Sequence, residues 1–293
     1  MSDLKNYFMQ PRSMKCGLNV YPIKIMEYEK FKKLAAKYII LNIKQLNNHR
    51  KQNKLQELQV DELYDYIILL IENNENYKLL LNHINKLNEL NEKQREEILN
   101  NIGYLRDVML NKNVIEKNIN QYSHEEFCEL IELSVRKKVI YNPQLKSFEI
   151  YSDDNELESV INKLNFNEFR EIVMNQNLLY EPIIAPTKQA QKYIDAKLSN
   201  TNGVESDLEA IVAFVCTNSM SMDISNYTYY RLMADFYSLM KQLSRSDMIC
   251  YSAGGMTKKN GKPLDIPNII EKLGINNNPY ENIFKEVNTE KSD

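Results

Sequence analysis

Apolar residues recur at three- and four-residue spacing over most of this chain, so helices dominate the expected fold. EYEKFKKLAAKYIILNI sets Tyr28, Phe31, Leu34, Ala35, Tyr38 and Ile39 on one face. VDELYDYIILLIEN follows a candidate N-cap at Asp61 and is apolar on most sides, as a helix buried among others is. The pattern continues from Asn76 to about Glu116, through Leu79, Leu80, Ile84, Leu87 and Leu90, then Ile98, Leu99, Ile102, Leu105 and Met109. Its heptad register does not hold for three clean repeats, so a packed bundle is expected over a coiled coil.

The pattern changes at a few places. The first 25 residues read as irregular, then extended, and Pro22 limits LNVYPIKI to an edge strand. Ser123 with Glu126 predicts a capping box for a helix through Phe127, Leu130, Ile131 and Leu133. VIY and FEIY then flank a turn at Asn142-Pro143, which predicts a β-hairpin. Helix is expected to return at ELESVINKL, led by Asp154 or Asn155, and again at NEFREIVMNQNLLY, capped by Asn165. Pro182 and Pro186 bracket a loop, and SNTNGVESD reads as a linker. LEAIVAFVCTNSMSM is the most apolar helical stretch. ISNYTYYRLMADFYSLMKQLSR follows it with Ser225, Asn226 or Thr228 as caps.

From Gly254 on, four glycines and three prolines break the periodicity, leaving one short helix expected around Asn268 to Leu273. The expected fold is mainly α: a multi-helix bundle with a minor β-hairpin near residues 138–151 and a loosely held C-terminal tail. Three parts are expected: an N-terminal helical region (1–120), a second helical region with the hairpin (121–256) and a flexible tail (257–293).

Composition narrows the function more than the fold. Basic and acidic residues number 37 and 40, so no global positive field draws a phosphate backbone, and nucleic acid is not an expected partner. Seven glycines imply few turns of positive φ. The 37 asparagines, with abundant Lys, Ile and Tyr, look like the imprint of an AT-rich genome. The cysteines Cys16, Cys128, Cys216 and Cys250 are widely spaced and form no C-x-x-C pair, as expected of reduced thiols. MSDLKNYFMQPRSMK lacks a signal peptide's apolar run, and no stretch of about 18 apolar residues occurs. No membrane association and a cytoplasmic location are expected.

Each candidate chemistry has a plainer competitor. His49, His83 and His124 are isolated; only His124 and Cys128, at i and i+4, share a helix face. That supplies two metal ligands of four, or a thiol beside a base, but Cys128 sits among Phe127, Leu130 and Ile131 as a core residue would. SAGGMTKKNGK faintly resembles a phosphate cradle but misses the P-loop spacing and follows a helix rather than a strand. The acidic runs ESDLE and YSDDNELE stand just ahead of expected helices, where carboxylates complement the dipole. No catalytic residue, cofactor or metal is therefore expected, and the chain reads as non-enzymatic. The aromatic helix remains. Tyr227, Tyr230, Met233, Phe236, Tyr237 and Met240 suit either core or a protein-binding face, and the second role is assigned to them together with the segment Leu208 to Met222.

Three stretches carry a resemblance. LNVYPIKIMEYEKF resembles the "YPI, then EYxxF" signature of tail-region proteins from tailed phages and prophages of low-GC Gram-positive bacteria. NFNEFREIVMNQNLLYEP is similar to that family's "FxxIxxxQN" segment, and YTYYRLMADFYSLM with MICYSAGGM resembles its helix-then-"SGM" close. The chain departs from the family at DIPNIIEKL, where isoleucine stands in place of the expected tryptophan. The resemblance implies a tail assembly chaperone that escorts the tape-measure protein, and possible tail-tube subunit or homo-oligomeric contacts, in the host cytoplasm. A structural tail or connector subunit, or a regulatory or counter-defence protein binding a host target, are the alternatives.

Overall fold

A computed structural model describes residues 2–88, 92, 94, 122–201, 207–219, 224–258, 261–266 and 278. The described helices are α1 (Ser2–Tyr7), α2 (Ile25–Tyr38), α3 (Ile43–Gln52), α4 (Leu63–Asn88), α5 (His124–Val135), α6 (Phe166–Gln176), α7 (Lys188–Thr201), α8 (Leu208–Ser219) and α9 (Tyr229–Ala253). A short ribbon pairs β1 (Arg12–Ser13) with β2 (Asn19–Val20). A three-stranded antiparallel sheet is ordered β3 (Lys138–Asn142), β4 (Ser147–Tyr151), β5 (Leu157–Ile161). The described chain is thus mainly helical with a minor β part.

The main core forms where helices cover one face of that sheet. Val139, Phe148, Ile150 and Ile161 meet Phe31 and Tyr38 of α2, Ile67 and Ile71 of α4, Phe127 and Ile131 of α5, and Phe166 and Phe169 of α6. Phe127 is its hub, stacked on Tyr38 (4.9 Å) and edge-on to Phe148 (4.6 Å). These aromatic pairs add specificity to area burial that contributes about 1.5–3 kcal/mol per large side chain. Residues on both sides of position 120 contribute to this cluster.

Several expected elements are present in detail. Ser123 caps α5, accepting from the N–H of Glu126, and Thr228 caps α9, accepting from the N–H of Arg231. The hairpin turns at Asn142, whose side chain accepts from the N–H groups of Gln144 and Leu145. The open edge of β3 is closed by α5: Glu132 accepts from the N–H of Val139, and the Tyr141 N–H bonds the sulfur of Cys128.

Other expectations are corrected. Residues 2–7 are helical rather than irregular, because α1 is tethered: Asn6 donates to the Asn175 carbonyl and Tyr7 to Asp235. α4 begins at Leu63, two residues beyond the cap expected at Asp61. ELESVINKL is not a helix. Leu157–Ile161 adds a third strand, pairing Ile161 with Phe148 and Val160 with Glu149, and its acidic lead-in forms a turn closed by Ser152 N–H on the Glu156 carbonyl. Asn165 precedes α6 without capping it; its side chain instead donates to the Val160 carbonyl and accepts from the Asn162 N–H. The scarcity of glycine does not reduce left-handed turns. Met9, Lys54, Arg136, Lys146, Asn155 and Leu178 all hold positive φ. The helical pattern expected from Asn76 is present in α4 as far as Asn88, and α7 runs through Thr201, so the expected linker begins as helix. Most of 89–116, residues 202–206, the short helix at 268–273 and most of the 257–293 tail lie outside the described residues.

Candidate functional site

Three segments far apart in sequence, before and into α2, at the end of α6 and at the start of α9, meet at one place in the fold. After Pro22 interrupts the extended segment, Ile23 donates its N–H to Oδ1 of Asn177 (3.0 Å), and Ile25 donates to the Tyr227 carbonyl (2.8 Å). Tyr28, one turn into α2, stacks on Tyr229 with ring centroids 4.1 Å apart. Its hydroxyl donates to the Asn177 carbonyl, and burial, ahead of Tyr229 and Glu29, pushes its pKa well above the usual phenol value. Gln176 donates to the Val20 carbonyl, and the Asn177 amide donates back to the Val173 carbonyl. Gln176 and Asn177 have no exposed surface. Buried amides with this many backbone partners act as structural clamps, since an orphaned partner costs about 1–3 kcal/mol.

The six residues assigned to a protein-binding face divide along α9. Tyr230 and Met233 are buried, at 4% and 9% exposure. Tyr227 and Phe236 are half-buried, Tyr227 beneath the Arg231 guanidinium and Phe236 edge-on to Phe214 of α8. Tyr237 and Met240 face solvent, at 43% and 45% exposure. Of the described part of the Leu208–Met222 segment, Ile211 and Val215 are buried against Leu232 and Met233; residues 220–222 lie outside the described residues. The apolar exposure continues down α9 through Leu243, Ile249 and Tyr251. Lys241, Arg245 and Asp247 interrupt the run of apolar letters there, so the sequence pattern alone does not mark this continuation.

The His124/Cys128 pair does not assemble a site. Cys128 points into the core, where burial first and then Glu132 raise its thiol to about 12, despite the Tyr141 N–H on its sulfur. His124 instead stacks on Tyr141 and lies between two carboxylates: Nδ1 is 3.5 Å from Glu75 and Nε2 is 3.4 Å from Glu125. Glu75, His124 and Glu125 together have the composition of a metal site. The geometry argues otherwise. The carboxylates approach opposite ring nitrogens, which one ion cannot share, and the Lys78 ammonium already lies 2.9 Å from Glu75 and 3.9 Å from Glu125. Glu125 is held below the usual carboxylate range: burial raises it, but its own backbone N–H, Ser123, His124 and Lys78 outweigh that. The group is a charge network knitting α4 to α5. His49 is exposed beside Asn53, and the side chain of His83 lies outside the described residues.

The glycine-containing segment after α9 is a helix stop. Gly255, at φ +83°, ends α9 in a Schellman motif, with Gly255 N–H on the Ser252 carbonyl and Met256 N–H on the Tyr251 carbonyl. Lys258 beyond it pairs with Asp265. Asp207, by contrast, caps α8 as its acidic run suggests, accepting from the N–H of Glu209.

No helix among the described residues is long and apolar enough to cross a membrane. The chain matches no family model, no curated protein and no solved structure.

Proposed function

We propose that this protein is a non-catalytic binder that escorts another protein through an apolar face on α9. Among the roles open to such a binder, we assign it that of a tail assembly chaperone for a phage tape-measure protein, with tail-tube subunits as secondary contacts, in the host cytoplasm. One observation supports the binding role: Tyr237 and Met240 are exposed on a helix whose neighbouring apolar residues pack against α8. Exposed apolar surface contiguous with core, bearing tyrosine and methionine, suits a partner that is itself apolar. The phage setting is supported by the three resemblance stretches alone.

Tyr230 and Met233 are unsuited to testing this, since alanine there empties the core. The test is co-expression with a tape-measure protein, comparing the parent chain with Tyr237→Glu/Met240→Glu. Loss of co-purification with unchanged circular dichroism is expected. Undiminished capture by the double variant would overturn the assigned face. Stoichiometric presence of the protein in purified particles would overturn the chaperone role in favour of a structural tail subunit.

A further inference from the structure

A row of side-chain amides on α3 holds a stretch of backbone that belongs to no helix or strand. Asn42, Gln45, Asn48 and Gln52 follow at steps of three, three and four residues, so they share one face of α3 and its cap. Gln45 Oε1 accepts the N–H of Ile184 at 2.6 Å, and Asn48 Nδ2 donates to the carbonyl of the same residue at 3.0 Å. Gln52 donates to the next carbonyl, that of Ala185, and Asn42 donates to the Glu181 carboxylate. Arg170 of α6 fixes the entry, pairing with Glu181 while it donates to the carbonyls of Ile39 and Leu41. Ile184 is thus held by its N–H and its C=O together, as a residue in a β-ladder is, but by two side chains.

The spacing of the amides matches an extended chain. Over residues 42–52 the helix rises about 15 Å, and over residues 181–185 an extended backbone covers about 13 Å. Pro182 and Pro186 favour that extension, since each pushes the residue before it out of the helical region, and neither has an N–H to satisfy. Ala185 is buried, so its position takes a small residue, whereas Ile183 and Ile184 are half-buried. Little else anchors the segment. Ala185 and Ile194 of α7, with Ile183, form a small cluster apart from the main core. The other residues at 188–196 are exposed, except half-buried Gln191, which accepts the Ala185 N–H. Hydrogen bonds of this kind exchange for bonds to water at small net cost, unlike the burial of apolar area.

We propose that this face of α3 is a peptide-binding site, filled in the free protein by residues 181–186. In a complex it takes an extended segment of a partner protein with the pattern Pro-x-x-small-Pro. The backbone bonds at Gln45, Asn48 and Gln52 read no side chain, so the pattern comes from the two prolines and the buried Ala185 position. The site is separate from the α9 face and does not depend on it. The tethered segment competes as an intramolecular ligand at high effective concentration, so it sets the threshold that a partner must exceed.

The test titrates a fluorescent peptide of the chain's own sequence, YEPIIAPT, against the full chain and reads anisotropy. Ile184→Pro removes the N–H that Gln45 accepts and so vacates the site. The peptide is expected to bind this variant at least about ten-fold more tightly than it binds the parent chain. Adding Gln45→Ala and Asn48→Ala to the variant is expected to abolish binding, as is methylating the backbone nitrogen of the peptide's second isoleucine. No binding to an Ile184→Pro chain of parental circular dichroism, or binding that survives loss of both amides, would overturn the proposal. Hydrogen exchange of the parent chain gives a second reading that needs no variant. The Ile184 and Ala185 amides are expected to exchange well ahead of those of α5 and α6. Exchange in step with those helices would make the segment a fixed part of the fold and sink the idea. A dimer of the parent chain that is lost in Ile184→Pro would also overturn it, in favour of exchange of the segment between two copies.

Discussion

The phenol oxygen of Tyr38 accepts the backbone N–H of Ser123 at 2.9 Å, doing the work that a capping box assigns to Glu126. Ser123 caps α5 as its sequence suggests, but the reciprocal half of the box is absent. The Glu126 carboxylate instead takes Lys37 Nζ at 2.8 Å and stands 3.0 Å from the Tyr38 hydroxyl. The start of α5 is thereby tied to the end of α2. Burial, with the negative charge of Glu126 second, raises the Tyr38 pKa far above the phenol range, so its proton stays on.

Tyr38→Phe is therefore expected to destabilise the fold although it keeps the ring and its stacking on Phe127. The Ser123 N–H loses its partner while remaining buried, a loss of about 1–3 kcal/mol. Urea denaturation checks this. Glu126→Gln, which leaves the Tyr38–Ser123 bond intact, is expected to cost less. A null effect in Tyr38→Phe would mean that water replaces the phenol.

Asn177 is the second such junction, joining the segment before α2, the end of α6 and the Tyr28 hydroxyl. Asn177→Ala is expected to cost about 2–3 kcal/mol, since it orphans the Ile23 N–H and opens a small cavity. Asn177→Asp keeps the acceptor, loses the donor to Val173 and buries a charge, so its deficit is expected to shrink as pH falls and that charge is neutralised. Both appear as shifts in the urea midpoint.

How much of this was legible follows from which forces are local. The faces of α2, α5 and α9 were readable because burial of a stripe shows as three- and four-residue spacing, and the Asn142 turn because its side chain bonds its own backbone. Leu157–Ile161 was misread because Glu and Leu favour helix, whereas pairing with Phe148 and Glu149 across the sheet overrides that preference. Tyr38 and Ser123 lie 85 positions apart, and Glu75 and His124 come from separate helices, so no spacing rule reaches either pair. In the proposed binding face, Tyr237 and Met240 were separable from Tyr230 and Met233 only once α8 was seen to cover part of the helix.

The non-glycine residues of positive φ offer a stabilising change. Lys54 follows α3 at φ 56° and is exposed, with its N–H on the Lys51 carbonyl. A left-handed L-residue costs about 1–2 kcal/mol, of which glycine returns roughly half after its greater unfolded-state entropy. Lys54→Gly is expected to raise the melting temperature by a few degrees. A fall would place the strain elsewhere in the turn.

Asp235 makes stability depend on pH. Burial raises its pKa, and the Tyr7 hydroxyl at 3.1 Å and Arg231 only partly offset this. The folded state therefore binds its proton more tightly than the unfolded chain does. Sign follows directly: below the unfolded pKa both states are protonated and nothing is lost, and as pH rises through the folded pKa the charged form penalises the fold. Asp235→Asn keeps an acceptor for Tyr7. It is expected to match the parent near pH 3 and exceed it at pH 7 in urea denaturation.

The thiols supply a direct check on whether Cys128 acts as a nucleophile at α5. Cys16 and Cys250 are exposed, Cys216 is half-buried and Cys128 is buried with its thiol raised to about 12. Attack requires thiolate, whose population at pH 8 is about four decades below the thiol at such a value. In a timed Ellman titration of the native protein, Cys16 and Cys250 are expected to react fast, Cys216 more slowly, and Cys128 only in urea. His124→Ala should leave the Cys128 rate unchanged, because its ring nitrogens face Glu75 and Glu125 rather than the sulfur. Fast native labelling of Cys128 that drops in His124→Ala would show a thiol–imidazole pair at work, and the chain would then have to be regarded as an enzyme.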